Sequence, residues 1–281
     1  MTSKKQPFAD LHCHSTFSDG TLTPQELLKL AKKRGLRGLS ITDHDTIQSY
    51  REALPLGEEL GIKLISGAEF SSQHGGTTIH VLAYSFSLDD PNINSLCQQH
   101  IIRRRDRNLS ILKKMEENGM RITEEELMEV AGKMATIGRP HIASIMVKKG
   151  YVKNLHEAFR NYLGDTKSFY VNGHYPTTEE TIEVIHQSKG FAVLAHPHLL
   201  KNPLLFAELQ NLPFDGLEAY YASFPASEEQ PWLDEAKSQG WLVTGGSDFH
   251  GGDRSVNKLG VSWTPQETFE LLHARFIENS V

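Results

Sequence analysis

An α/β fold made of βα units, either one parallel sheet or a barrel, interrupted by a helical insertion, is what the order of elements in this sequence predicts. Three observations lead there. Strand-like and helix-like stretches alternate over roughly the first 85 residues, no convincing strand occurs from Asp89 to about Gly164, and the alternation then resumes. A chain of 281 residues suits a single barrel of about 250 residues carrying an insertion, or two smaller domains.

Local signals justify the elements in turn. PFADLHCH reads as the first strand. TPQELLKLAKKRG is a helix, in which Thr23 is a good N-cap, Pro24 suits the first helical position, Glu26 completes a capping box and Gly35 stops the helix. LRGLSITDH is a second strand, ALPLGEELG a helical piece, and IKLISGAEFS and TTIHVLAYS two further strands. The pattern then turns helical: INSLCQQHIIRRRDRNLSILKKMEENG places Ile101, Leu109, Leu112 and Met115 at helical spacing. TEEELMEVAG, RPHIASIMVKKG and LHEAFRNYLG follow as shorter helices. TTEETIEVIHQSKG is a capped helix, FAVLAHP a strand, FDGLEAYY a strand, EEQPWLDEAKSQG a helix and WLVTGGSDFH a strand, before PQETFELLHARFIEN closes the chain as a helix. No internal repeat or low-complexity segment is evident.

Composition narrows the function classes. Apolar residues make up 38% and the formal charge is −6, the balance of a soluble globular protein. Two cysteines, Cys13 and Cys97, cannot supply a disulfide framework. The N-terminal segment lacks an apolar h-region, so a secretory signal is not expected. No run approaches the roughly 18 apolar residues of a membrane span, and a cytoplasmic protein is expected. Fourteen histidines against two cysteines mean that any metal is held by imidazole and carboxylate.

The histidines and acids concentrate at predicted strand ends. His12 and His14 end the first strand, with Asp19 in the following turn; Asp43, His44 and Asp45 end the second; Glu69 ends the third. His80 lies on the fourth strand, His196 ends FAVLA, and Asp248 and His250 end WLVTGGS. Alternate residues on a strand point the same way, so His12 and His14 share a face, as do Asp248 and His250. In βα barrels the C-terminal strand ends converge on one mouth, so these groups are expected at one rim. Neutral imidazoles with carboxylates suit catalytic manganese, iron or zinc more than structural zinc.

The runs DLHCHSTFSDG, TDHDT, GAEFS, IHVLAY, AHPH and GGSDFHG resemble the PHP (polymerase and histidinol phosphatase) superfamily of metal-dependent phosphoesterases. That resemblance implies a distorted seven-stranded βα barrel in residues 1–88 and 169–281, with a helical cap over 89–168. It also implies that His12, His14, Asp19, His44, Glu69, His80, His196, Asp248 and His250 are metal ligands. Glu69 would bridge two ions, one sharing His12, His14 and Asp248 and the other His80 and His196; Asp19, His44 and His250 would hold a third. Two or three divalent ions are expected, manganese foremost and iron or zinc compatible. A metal-bridging hydroxide would attack phosphorus, with no protein nucleophile.

The insertion and its GRPH run resemble the subgroup containing nucleoside 3′,5′-bisphosphate phosphatases and short-RNA 5′–3′ exonucleases. Arg139 and His141 match positions where the cap contacts phosphate, and a guanidinium fork suits a second, non-reacting phosphate. The substrate implied is a small phosphorylated nucleotide, or a short single-stranded RNA. Histidinol-phosphate phosphatase, and a non-catalytic metal-binding module as in some DNA polymerases, are the alternatives.

The remaining candidates have plainer readings. Asp43 and Asp45 are expected to orient ligand imidazoles, and His198 to contact phosphate or sit at the surface. Arg139 could instead pair with a carboxylate. Cys13 should point away from its histidine neighbours. Arg103, Arg104, Arg105 and Arg107 read as a solvated helix face, and net acidity argues against duplex binding. His74, His100, His156, His174, His186 and His273 carry no assigned role.

Overall fold

The strands of the computed structural model, which describes residues 8–131, 136–200, 202–222, 224–252 and 257–280, fall into two sheets. The first is parallel, in the order β1 (Ala9–Asp10), β2 (Gly38–Leu39), β3 (Lys63–Leu64). The second runs β4 (Gly67–His74), β5 (Thr77–Tyr84), β6 (Phe191–Leu194), β7 (Gly216–Tyr221), β8 (Leu242–Gly246). Eight strands in two sheets among the described residues therefore replace the expected seven-stranded barrel. Between the sheets the regular ladders give way to the single bridges His44↔Glu69 and Cys13↔Phe249 and to lone bonds such as Asp248 N–H to the His12 carbonyl, 2.8 Å. Of the residues at these breaks, Asp248 departs from strand geometry, at φ 49°.

The second sheet is not all parallel either. β4 and β5 pair antiparallel, as do β5 and β6, whereas β6–β7 and β7–β8 are parallel. The reason is local: Gly75 and Gly76, at φ 54° and 78°, form a two-residue connection, and such a hairpin can only be antiparallel. The stretch read as one strand, IKLISGAEFS, breaks at Ile65–Ser66 into β3 and β4, which belong to different sheets. Glu69 consequently sits inside β4 rather than at a strand end.

Where the sequence carries a capping box, the helix begins as signalled. α1 (Pro24–Arg34) carries the reciprocal Thr23–Glu26 capping box and ends at Gly35, φ 81°. Each such cap is worth about 1 kcal/mol. α2 (Tyr50–Leu60), α3 (Pro91–Glu117), α4 (Glu124–Ala131), α5 (Arg139–Lys148) and α6 (Leu155–Ala158) precede α7 (Thr178–Gln187), which repeats the capping box at Thr177 and Glu180. α8 (Pro203–Leu209), α9 (Ala226–Gln239) and α10 (Gln266–Asn279) complete the set.

Two compact units result, residues 1–97 with 176–281, and residues 98–175. In the first, Leu27, Leu39, Ile41, Tyr50, Phe70, Val81 and Leu217 belong to a buried core, and a smaller cluster gathers Leu11, Leu82, Val193 and Phe269. The first turns of α3 contribute Ile93, Leu96 and Cys97 to the main core. The second unit has its own core, including Ile111, Met115, Ile142, Met146, Leu163 and Phe169. The arginine run of α3 is only partly a solvated face: Arg105 is exposed and pairs with Glu124, but Arg104 and Arg107 are buried. Arg107 donates from Nη1 to the Tyr175 hydroxyl (2.7 Å) and from Nη2 to Asn108 Oδ1 (3.2 Å). These bonds to neighbouring polar groups make burial of the guanidinium tolerable. No described helix is long and apolar enough to cross a membrane.

Candidate metal centre

Glu69 is buried, and its two oxygens face different sets of imidazoles. Oε1 lies 2.6 Å from His80 Nδ1 and 2.9 Å from His196 Nε2. Oε2 lies 3.4 Å from His12 Nε2, 3.3 Å from His14 Nε2 and 3.1 Å from His44 Nδ1. Asp248 Oδ1 adds contacts of 3.4 Å to His12 Nε2 and 3.2 Å to His14 Nε2. Asp19 Oδ1 stands 3.3 Å from His250 Nε2, 3.9 Å from His14 Nδ1 and 4.0 Å from His44 Nε2. The structure thus brings all nine expected ligand residues into one cluster.

Close backbone approach makes this possible. A Cβ on Gly246 would lie 2.4 Å from His12 Cβ, so only glycine lets β8 come close enough to bring Asp248 beside His12. His196 and Asp248 both have positive φ, 29° and 49°, a conformation that costs roughly 1–3 kcal/mol for a residue with a side chain and gathers at functional sites.

The cluster fits cations. His12 Nε2, His14 Nδ1, Asp19 Oδ1 and Glu69 Oε2 are buried polar atoms without a hydrogen-bond partner, and burying such atoms unpaired is costly. Donor atoms of three groups each lie within 4.8 Å of one another: His14, Asp19, His44 and His250; His12, His14 and Glu69; His44, Glu69 and His80. The residues shared between groups are Glu69, His14 and His44. A nitrogen and oxygen donor set of this kind, lacking thiolate, suits divalent ions of the manganese, iron and zinc type.

Electrostatics points the same way. Burial would raise the carboxyl of Glu69, but His44, His80 and His12 hold it well below its ordinary value. Asp248 is held down likewise, against burial, chiefly by His12, and Asp19 by His250. Burial disfavours charge on His250, yet Asp19 pushes it up to about 10. Against the effect of burial, Glu218 raises His12 and Glu69 raises His196. His44 goes the other way, burial taking it down to about 3.

Residues around the cluster behave less as anticipated. Among the described residues Asp43 hydrogen-bonds to no imidazole. It accepts from Ser15 N–H (2.7 Å), Ser15 Oγ (2.6 Å) and Ser18 Oγ (2.6 Å), bracing the turn that leads into Asp19. Asp45, at φ 58°, accepts from Ser71 N–H at 2.7 Å and so ties its loop to β4. Both acids thus tie together segments that are 25 to 28 residues apart in the chain. Cys13 points away from the cluster, its thiol donating to the Ser40 carbonyl at 3.3 Å. His198 packs against the Tyr221 and Phe224 rings, centroids 4.3 and 4.5 Å away, and burial lowers it to about 4, so it is uncharged near neutrality.

In the helical unit, Arg139 donates from Nη1 to the Leu163 carbonyl (3.0 Å) and Asp165 Oδ1 (2.9 Å), and its guanidinium lies 5.3 Å from the Tyr170 ring centroid. His141 is buried and accepts from Gly138 N–H through Nδ1 (2.9 Å), so this nitrogen helps to close the start of α5.

Two buried acids, Glu218 and Asp10, and the half-buried Tyr221 were not singled out in the sequence. Glu218 accepts from His12 Nδ1 (2.9 Å) and from His196 N–H (2.9 Å). Tyr221 donates its hydroxyl to Asp248 Oδ2 (2.7 Å). Asp10 accepts from the N–H groups of His12, Ser247 and Gly260, and burial pushes it up to about 6. The available signal was an acid alone in an apolar strand stretch, as in GLEAYY.

Comparison with known proteins adds to this geometry. A family model described as PHP domain matches residues 10–189. A 5′–3′ exoribonuclease of Haemophilus influenzae is 35% identical over 250 residues, 86% of this chain and 89% of the relative. A phosphoribosyl 1,2-cyclic phosphate 1,2-diphosphodiesterase of Eggerthella lenta is 28% identical, over 86% of this chain and 94% of the relative. A 3′,5′-nucleoside bisphosphate phosphatase of Chromobacterium violaceum is 29% identical, with 86% of each chain covered. Among solved structures, a Bifidobacterium adolescentis protein assigned as a metal-dependent phosphoesterase superposes with a TM-score of 0.86 at 30% identity. The superposition covers 95% of this chain and 96% of that one.

Proposed function

The chain belongs to the PHP domain family and is a metal-dependent phosphoesterase, and from that premise we propose that it hydrolyses the 3′-phosphoester of nucleotides carrying a 5′-phosphate. The preferred substrate is a nucleoside 3′,5′-bisphosphate, which loses its 3′-phosphate. A short 5′-phosphorylated oligoribonucleotide is the related one. The two share a reacting unit. Water adds to phosphorus, the P–O3′ bond breaks, and the 3′-oxygen leaves with a proton. The first product is a nucleoside 5′-monophosphate in either case, and the RNA left behind again begins with a 5′-phosphate.

The observation carrying this reading is the division of Glu69 between two imidazole sets, one oxygen to each. A carboxylate so placed would hold two cations near each other while offsetting their repulsion. His12, His14 and Asp248 would complete one position, His80 and His196 a second, and Asp19, His44 and His250 a third. Divalent ions bound there supply charge to the phosphoryl oxygens and acidify water. The protein's part is to fix the donors: Asp43 braces the turn before Asp19, and the Gly246 approach sets Asp248 against His12. Manganese is the proposed metal, with iron and zinc suited to the same donors. Arg139 is the proposed contact for the non-reacting phosphate. Its partner Asp165 is three-quarters exposed, so that ion pair is weak and a phosphate can compete for the guanidinium. His141, with Nδ1 engaged at Gly138, and uncharged His198 would donate hydrogen bonds rather than supply charge.

The test is phosphate or nucleotide release with manganese added, comparing adenosine 3′,5′-bisphosphate, adenosine monophosphates, short 5′-phosphorylated RNA and histidinol phosphate. Turnover is expected to be greatest on the first, with adenosine 5′-monophosphate as product, and present on the RNA. Preference for histidinol phosphate would refute the substrate assignment. Arg139→Ala should weaken bisphosphate turnover by roughly 10-fold or more while leaving an aryl phosphate nearly unchanged. An equal loss on both would remove the role given to Arg139.

A further inference from the structure

β7 supplies none of the nine ligand candidates, yet two of its side chains reach them. Glu218 and Tyr221 are three residues apart, and in a regular strand that spacing sends side chains to opposite faces. The pairing with β8 removes the conflict. Glu218 pairs with Thr244, but Tyr220 pairs with Gly245 and Tyr221 with Gly246, so Ala219 is an extra residue in β7. A bulge of this kind re-aims the side chains beyond it. Glu218 and Tyr221 therefore both turn toward the cluster, one to His12 and His196, the other to Asp248.

We propose that bulged β7 is a positioning strand, whose Glu218 and Tyr221 set the affinity of the centre for divalent cations without binding them. This rests on the metal-centre reading above. Glu218 Oε1 accepts the Nδ1 proton of His12, which leaves the lone pair on Nε2, the atom that faces Glu69 and Asp248 at 3.4 Å each. Its other oxygen holds the N–H of His196, whose backbone has a positive φ, so the same carboxylate steadies a donor from each of two proposed cation positions. Tyr221 occupies Asp248 Oδ2 and leaves Oδ1 toward His12 and His14. One strand thus tensions three donors that come from separate parts of the chain.

The full chain, stripped of metal, is titrated with cobalt(II) alone and followed by its visible absorption, alongside thermal unfolding of each metal-free form. Glu218→Gln presents an amide in place of one oxygen and is expected to weaken cobalt binding by about 10- to 100-fold and to alter the band. Tyr221→Phe removes only a hydroxyl. It is expected to fold as the wild type does, with unchanged unfolding of the metal-free chain, and to bind cobalt several-fold more weakly. If Glu218→Gln does not fold, Tyr221→Phe alone decides. Wild-type affinity and spectrum in the folded variants would overturn the proposal while leaving the metal centre standing. A wild-type chain that takes up no cobalt would overturn the metal centre and the proposal together.

Discussion

Glu69→Gln is expected to lower turnover of adenosine 3′,5′-bisphosphate by about 10³-fold or more, and the purified variant to hold fewer equivalents of metal than the wild type. The amide is nearly the same size, so packing in β4 is preserved. What changes is charge and donor count. Glu69 is the carboxylate that contacts five imidazoles, from His12, His14, His44, His80 and His196. A neutral amide cannot offset two cations, and its nitrogen cannot donate a lone pair to either. Turnover would be measured at saturating manganese and metal content by elemental analysis. A variant retaining more than about a tenth of wild-type turnover would mean that Glu69 is a buried carboxylate paired with histidines and nothing more.

Metal uptake is expected to release protons, and this is the second large effect. In the metal-free chain Asp19 pushes His250 up to about 10, so this imidazole holds its second proton at neutral pH, and nearby carboxylates shift His12 and His196 in the same direction. A ligating nitrogen must give its proton up, and apparent affinity then rises about tenfold per pH unit for each proton displaced. Calorimetry of manganese binding in buffers of different ionisation enthalpy counts them, and one or more protons per chain is expected at pH 7. Release of none would show that the raised histidines do not ligate. The same shifts fix the sign for folding of the metal-free protein. The contribution of His250 is complete below its unfolded value near 6.5 and is lost as pH rises through about 10. Those of Asp19, Glu69 and Asp248 are present above about pH 4 and are lost on acidification, because their folded values are depressed.

Some of this was legible in the amino-acid order. His12 and His14, and Asp248 and His250, stand at spacing two beside strand-like runs, and strand periodicity is enough to pair them. The helix caps were legible because each depends on residues within one turn, as at Thr23–Glu26 and Thr177–Glu180. The antiparallel β4–β5 hairpin had a signal in Gly75–Gly76, which the alternation of strands and helices overrode. Asp43 could not be separated from an imidazole-orienting acid, since its partners Ser15 and Ser18 are set by how two loops meet. Glu218 and Tyr221 were beyond reach for a different reason. Strand periodicity sends them to opposite faces, and the bulge at Ala219 depends on the register with β8, which no local signal announces.

The cluster around Glu69 is proposed to be a multinuclear metal centre. Anomalous diffraction from a manganese-soaked crystal of the full chain decides this. Two or three peaks are expected, with Glu69 between two of them and His12, His14, His80, His196 and Asp248 around that pair. Crystals that take up manganese elsewhere, or show no peak within ligand distance of Glu69, would contradict it.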